Sequence, residues 1–208
     1  MKYRIKRFKN LAAALKELEP FIRDGEHLQT GKPFAQLGGM RSHEALANWL
    51  ICVAINSEHG DDRLSFTSDP IGGDGVIYDS KQDITWGTEH IMVPRPPPGV
   101  AAKVLDTESG ILDAIRQKNS KGGKAYASGK QLVVFMNATG TPWKPNRVSK
   151  RLPTPLYFED VWVLALQSIE DGDYIYAVTR LNGIDGNAPI WQVRITADFG
   201  CWDVIRLQ

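Results

Sequence analysis

Apolar residues recur along this chain at two spacings, one typical of helices and the other typical of strands. In residues 9–24 and again in residues 41–56 they fall three and four positions apart, which predicts two helices. We expect Pro20 to kink or end the first helix, and Ser42 is a good N-cap for the second. The second helix is apolar nearly all round, so we expect its neighbours to bury it on more than one side.

Short apolar segments separated by turn-forming residues follow, and the first three of them predict an antiparallel meander. A helix and a continuous apolar run, typical of a strand buried on both faces, come next. The segment after these is predicted as a helix, although the β-branched Val161 and Val163 keep a strand open. In order, the predicted elements are strands 63–67, 76–78 and 84–93, helix 107–119, strand 131–136, helix 158–169 and strands 174–181, 190–196 and 202–207.

This order of elements predicts a single α/β domain with a mixed central sheet flanked by helices. The meander is antiparallel, whereas a helical crossover to the buried strand makes the next pairing parallel. The domain, residues 1–208, then comprises an N-terminal helix and loop (1–39), an αβββαβ core (40–137) and a C-terminal helix and strands (138–208). A length of 208 residues suits one such domain.

Composition changes this picture mainly through what it excludes. The formal net charge is only +1, so any contact with nucleic acid would require a local basic patch. No apolar run reaches the ~18 residues of a membrane span, and the basic N-terminus lacks the apolar region of a signal peptide. Cys52 and Cys201 are expected to be reduced and buried, and a cytoplasmic location is the default expectation.

Two acidic residues fall on neighbouring strands of the predicted meander. Asp74 stands at the start of the second strand, in GGDGVIYD, and Glu89 lies within the third, in ITWGTEHIMV. Because a hairpin joins these strands, the two carboxylates can come side by side at one edge of the sheet. A divalent cation would relieve their repulsion, and such oxygen ligands suit Mg²⁺ or Mn²⁺. Such an ion can activate a bound water and stabilise a phosphate during transfer.

The helix that bears Glu44, the two acidic strands, the next helix and the LVVF strand together resemble the PD-(D/E)xK nuclease superfamily. That superfamily has a restriction-endonuclease-like αβββαβ core, and the resemblance covers about half of the chain. It implies that Asp74 and Glu89 are catalytic acids that bind Mg²⁺ or Mn²⁺. It also implies that Glu44 is a third metal ligand, contributed by the first core helix.

The catalytic lysine of this superfamily stands two residues after the second acid, where this chain has Ile91. An isoleucine can neither orient water nor stabilise the charge of a phosphate. Some members of the superfamily carry the lysine on another element, which here points to Lys118, Lys121 or Lys124 on or just after the following helix. We take Lys118 and Lys121 as the catalytic candidates.

Basic residues cluster between positions 117 and 152, with Tyr126 and Trp143 among them. Such a mixture can follow a phosphate backbone and stack on bases, although a solvated loop would have the same composition. His90 should point away from Glu89, because side chains alternate along a strand. The candidate nucleic-acid-binding residues are Lys124, Lys144, Arg147, Lys150 and Arg151.

These observations predict a metal-dependent phosphodiesterase that acts on nucleic acid, with DNA as the expected substrate. The alternative is a catalytically inactive protein of the same fold that binds nucleic acid or a protein partner, which Ile91 favours. A third hypothesis is an unrelated α/β protein in which the acids are structural, and Asp74 and Glu89 pointing apart would indicate it. Three questions stay open: whether the substrate is DNA or RNA, how it is cleaved, and which oligomeric state the protein has. A homodimer is one alternative.

Overall fold

A computed structural model describes residues 8–93, 106–137, 141–181 and 186–208 of the chain, apart from the side chain of Thr30. The helices in these ranges are α1 (Leu11–Arg23), α2 (Gly25–Thr30), α3 (Ser42–His59), α4 (Thr107–Ser120), α5 (Gly123–Ala127) and α6 (Pro145–Ser149). The strands are β1 (Leu64–Thr67), β2 (Gly75–Asp79), β3 (Ile84–Val93), β4 (Lys130–Met136), β5 (Asp160–Glu170), β6 (Asp173–Arg180), β7 (Ile190–Ile195) and β8 (Trp202–Arg206).

The eight strands form one mixed sheet in which each strand lies beside the next one in the chain. β1, β2 and β3 are antiparallel to one another, as the predicted meander requires. β4 and β5 run parallel to β3, because helical segments connect them, and β6, β7 and β8 then continue as a second meander. The prediction of an α/β domain with a mixed sheet and flanking helices is therefore confirmed.

A hydrophobic core covers each face of the sheet. Val133 and Phe135 of β4 belong to the core that includes α1 and α3, whereas Leu132 and Val134 belong to the core that includes α4. Alternate residues of one strand thus enter opposite cores, which explains why the strand reads as a continuous apolar run. Helix α3 is buried over nearly its whole circumference, as its composition predicts.

Three local predictions were wrong. Residues 160–170 form strand β5 and not a helix. Both faces of the first half of this strand are buried, so its sequence lacks the alternation of apolar and polar residues that identifies a strand. The second wrong prediction is Ser42 as the N-cap of α3, since Arg41 takes that position. Pro20 lies inside α1, which continues to Arg23, so of the two effects expected of this proline the end of the helix does not occur. Cys201 is exposed, although both cysteines are free as expected.

None of the helices in the described ranges combines the length and the apolar character needed to cross a bilayer.

Candidate active site

The site lies where β2 and β3 separate. Gly75, the first residue of β2, pairs with Thr88 of β3, and beyond this pair the two strands no longer form a ladder. Oδ2 of Asp74, the residue before β2, accepts a hydrogen bond of 2.7 Å from the backbone N–H of His90. The carboxylate of Asp74 therefore takes the position where β2 would otherwise provide a carbonyl, and it is held beside the Glu89 segment of β3.

A close approach of α3 to β2 brings a second acid to this point. A Cβ atom at Gly75 would lie 2.2 Å from Nδ2 of Asn48, so only glycine permits this packing distance. Glu44 lies four residues before Asn48 and thus on the same face of α3. Its Oε2 accepts a hydrogen bond of 2.8 Å from the backbone N–H of Arg41 at the start of the helix. Asp74 consequently lies near enough for its charge to raise the pKa of Glu44.

Glu89 is buried and surrounded by hydrogen-bond donors. Nζ of Lys130, at the start of β4, lies 2.6 Å from Oε1 of Glu89. The hydroxyl of Tyr126, on α5, donates a hydrogen bond to Oε2. Nζ of Lys118, on α4, lies 3.3 Å from the same oxygen. Three elements that follow β3 in the chain therefore hold one carboxylate in a single orientation.

The ammonium group of Lys118 lies close to both Asp74 and Glu89, the two acids that the sequence singles out. Its Nζ lies 3.9 Å from Oδ2 of Asp74 as well as 3.3 Å from Oε2 of Glu89, and it donates a hydrogen bond of 3.3 Å to the Tyr126 hydroxyl. The side chain of Lys118 is 14% exposed and that of Asp74 is 27% exposed. An ammonium group thus lies between both carboxylates at a point that solvent still reaches.

The three acids ionise differently because their surroundings differ. Burial raises the pKa of the Glu44 carboxyl from its ordinary value of 4.5 to about 7, and the charge of Asp74 contributes to this rise. Burial also raises the pKa of Asp74. For Glu89, burial acts in the same direction, but the donors Lys130 and Tyr126 and the charge of Lys118 bring the pKa below its ordinary value. Glu89 is therefore the firmly charged acid, and Glu44 is the one that titrates near neutrality.

Replacing Glu44 with glutamine should make the metal-free protein more stable at pH 8 and leave its stability unchanged near pH 4. The pKa of Glu44 is higher in the folded than in the unfolded chain, so the stability contributed by its proton is lost as pH rises from 4.5 to 7. Glutamine stays neutral and still accepts the hydrogen bond from Arg41. We expect a gain of up to about 2 kcal/mol at pH 8, measured by urea unfolding in EDTA. A loss of stability at pH 8 would contradict the high pKa.

A cavity of about 280 Å³ opens beside Asp74 and Glu44. Arg41 lines it together with two glycine-containing turns, around Gly38 and Gly72. A larger cavity, of about 500 Å³, is lined by the end of α3 and by β8 and includes none of the acids described above. The smaller cavity therefore gives a ligand access to Asp74 and Glu44, whereas Glu89 does not line it.

The predicted basic residues separate into two groups. Of the candidate lysines, Lys118 reaches the acids, whereas Nζ of Lys121 lies 5.7 Å from the centre of the Tyr126 ring and has no ion pair with a described acid. Arg147 and Arg151 both form ion pairs with the buried Glu108, at 3.4 and 3.5 Å. Their charges are thus partly neutralised, which the prediction of a nucleic-acid contact did not anticipate. Exposed lysines of the same prediction are Lys124 on α5 and, at the two ends of α6, Lys144 and Lys150.

The imidazole ring of His90 takes no part in the cluster of acids, although the backbone N–H of this residue bonds to Asp74. Its ring is buried on the face of β3 opposite Glu89, as alternation predicts, and Nε2 lies 3.3 Å from Oγ1 of Thr88. Burial holds the pKa of His90 well below its ordinary value, and the nearby His43 and Lys118 act in the same direction. This histidine is therefore neutral at physiological pH.

The sequence did not place Tyr126, Lys130 or Arg41 beside the acids of the site. Tyr126 and Lys130 contact Glu89 across 37 and 41 residues of chain, so no local spacing relates them to it. The cluster of basic residues around Tyr126 was the available signal. Arg41 is near Glu44 in the chain, and a basic residue at the start of a helix carries no specific meaning.

The oxygen-rich acids suit a hard cation, and Asp74 is the best placed of them to bind one. Its Oδ1 accepts no hydrogen bond from the described residues, whereas both oxygens of Glu89 already do. With the side chains as they stand, no group of three or more His, Cys, Asp or Glu in the described ranges is arranged to hold a metal ion.

Comparison of this chain with protein-family models, with curated proteins and with solved structures found no match.

Proposed function

We propose that this protein is a metal-dependent phosphodiesterase that cleaves nucleic acid, with DNA as the expected substrate. The observation that carries the proposal is the position of Lys118, whose ammonium lies within 4 Å of both Asp74 and Glu89. The sequence has no lysine at position 91 on β3, and Lys118 brings the missing positive charge to the same carboxylates from α4. The order α3, β1, β2, β3, α4 and β4, which equals the superfamily's αβββαβ order, supports the proposal further.

In this proposal each side chain has a distinct role. Asp74, Glu89 and Glu44 would hold Mg²⁺ or Mn²⁺, which would supply an activated water and neutralise charge on the phosphate. Lys118 would place its positive charge against the phosphate oxygens as negative charge develops there. Tyr126 and Lys130 would keep Glu89 oriented, because they donate hydrogen bonds to its two oxygens. Arg41 would keep the carboxyl of Glu44 in place at the start of α3.

The second candidate is a catalytically inactive protein of this fold that binds nucleic acid or a protein partner. One observation favours it. Glu89 already accepts from Lys118, Lys130 and Tyr126, and a carboxylate offers about four lone-pair positions. Its charge is therefore balanced without a metal ion, as in a purely structural ion pair.

Cleavage by the purified protein distinguishes the two candidates. Supercoiled plasmid, single-stranded DNA and RNA are incubated with protein in Mg²⁺, in Mn²⁺ and in EDTA. We expect cleavage of DNA with at least one of the two metals, no cleavage in EDTA, and an activity that co-elutes with the protein on gel filtration. Folded protein that cleaves none of the substrates with either metal would favour the inactive candidate.

A further inference from the structure

Three ammonium groups gather around the ring of Tyr126. Nζ of Lys130 lies 4.6 Å from the ring centre, that of Lys121 lies 5.7 Å from it, and that of Lys118 lies 5.8 Å from it. Glu89 pairs with Lys118 and Lys130 there and Asp74 pairs with Lys118, whereas Lys121 pairs with no described acid. The group, which we term the Tyr126 cluster, thus carries an excess of positive charge beside the proposed active site.

The backbone of the α4–α5 turn holds Lys121 in this position. Gly122 has a φ of +72°, and a Cβ atom there would lie 2.9 Å from Cβ of Tyr126. A glycine is therefore needed for the turn to fold back over Tyr126. Lys121 and Lys124, which flank the turn, are both exposed, and neither forms an ion pair with a described acid.

We propose that the Tyr126 cluster, extended by Lys124, binds the phosphate groups of the nucleic acid next to the one that is cleaved. Lys118 is common to the cluster and to the proposed active site, and Lys121 is the cation of the cluster that has no ion pair with a described acid, so Lys121 is left to bind a phosphate next to the one at Lys118. Lys121, predicted above as a catalytic candidate, is in this proposal a binding residue. The inference rests on the proposed function for the choice of the cleaved phosphate, but binding of nucleic acid does not require cleavage.

Arg147, on α6, and Arg151, just after it, take no part in this binding surface, although the sequence predicts both as binding residues. Arg147 and Arg151 each pair with Glu108, so a phosphate would have to compete with a buried carboxylate for them. Lys121 and Lys124 have no such competitor among the described residues. Each new contact between an unpaired cation and a phosphate releases counterions, which makes the affinity depend more steeply on salt.

The test is the salt dependence of DNA binding in EDTA, where metal-dependent cleavage does not occur. Fluorescence anisotropy with a labelled single-stranded oligonucleotide gives the slope of log K against log salt for native protein, Lys121→Gln, Lys121→Gln/Lys124→Gln and the control Arg147→Gln. We expect the slope to become less negative, by about 0.7 in the single variant and by about 1.4 in the double variant. Arg147→Gln should keep the native slope. Thermal melting checks that each variant is folded.

Either of two results would overturn the inference: slopes that are equal in native protein and the double variant, or no binding by native protein at low salt. Native protein that shows the expected slopes but cleaves nothing would instead contradict the proposed function and leave the binding surface established. If native protein does cleave, Lys121→Gln should raise KM more than it lowers kcat. A variant that lowers kcat more than it raises KM would instead indicate that Lys121 is catalytic.

Discussion

Replacing Lys118 with methionine is expected to slow phosphodiester cleavage by ~10²–10³-fold. Methionine fills a similar volume but removes the ammonium that lies 3.3 Å from Glu89 and 3.9 Å from Asp74. The negative charge that develops on the phosphate then has no cationic side chain from α4 to stabilise it. Metal binding should be retained or become tighter, because a cation that competes for the same carboxylates is gone. Single-turnover cleavage and isothermal titration with Mn²⁺ measure the two effects separately.

A second substitution tests whether Lys118 replaces the lysine expected at position 91. Ile91 lies two residues after Glu89, so its side chain points to the same face of β3. Ile91→Lys in the Lys118→Met background should restore part of the lost rate, whereas Ile91→Met in that background should not. A Lys118→Met variant that cleaves within threefold of the native rate would show that Lys118 is not the catalytic cation.

Replacing Asp79 with alanine is expected to destabilise the fold by about 3–5 kcal/mol. Asp79 is completely buried at the far end of β2, where it pairs with Arg63. It also accepts backbone hydrogen bonds from Lys81 and Gln82, at 2.9 and 3.1 Å. Alanine would leave a largely buried guanidinium and two N–H groups without their acceptor. For a chain of this length the melting temperature should fall by roughly 10 °C.

The rate of cleavage per folded molecule should stay close to native in the Asp79 variants, since none of the groups that Asp79 contacts belongs to the proposed active site. Asp79→Asn keeps an acceptor for the turn and should destabilise the protein less than alanine does. In this account Asp74, just before β2, belongs to the active site, whereas Asp79, at the end of β2, stabilises the fold. A loss of cleavage in Asp79→Asn that exceeds its loss of folded protein would contradict this separation of roles.

The neighbourhood of Asp74 and Glu89 could be predicted because it depends on local features. A polar turn near residues 80–83 joins two strands, and the observed register pairs Gly75 with Thr88, which places the two acids next to each other. The parallel return to β4 likewise follows from a helix between two strands. Such features need only alternation, turn chemistry and the length of a connection.

The remaining parts of the site depend on contacts between distant segments. Glu108 pairs with Arg147 and Arg151 about 40 residues later, and nothing in the local sequence of α6 reveals this neutralisation. Lys118 was one of three lysines that could have replaced the missing one, and only packing of α4 against β3 distinguishes it from Lys121. The strand β5 was mistaken for a helix because burial on both faces removes the alternation that identifies a strand.

The central claim is tested most directly by the rate of plasmid cleavage in Mn²⁺. This rate is measured side by side for native protein, Asp74→Asn and Asp79→Asn at equal concentrations of folded protein. Asparagine at position 74 keeps the size of the side chain and an acceptor for the N–H of His90, but it removes the charge that would bind the cation. The account predicts cleavage by native protein and Asp79→Asn, and a loss of at least ~10²-fold in Asp74→Asn. Equal cleavage by native protein and Asp74→Asn would contradict it.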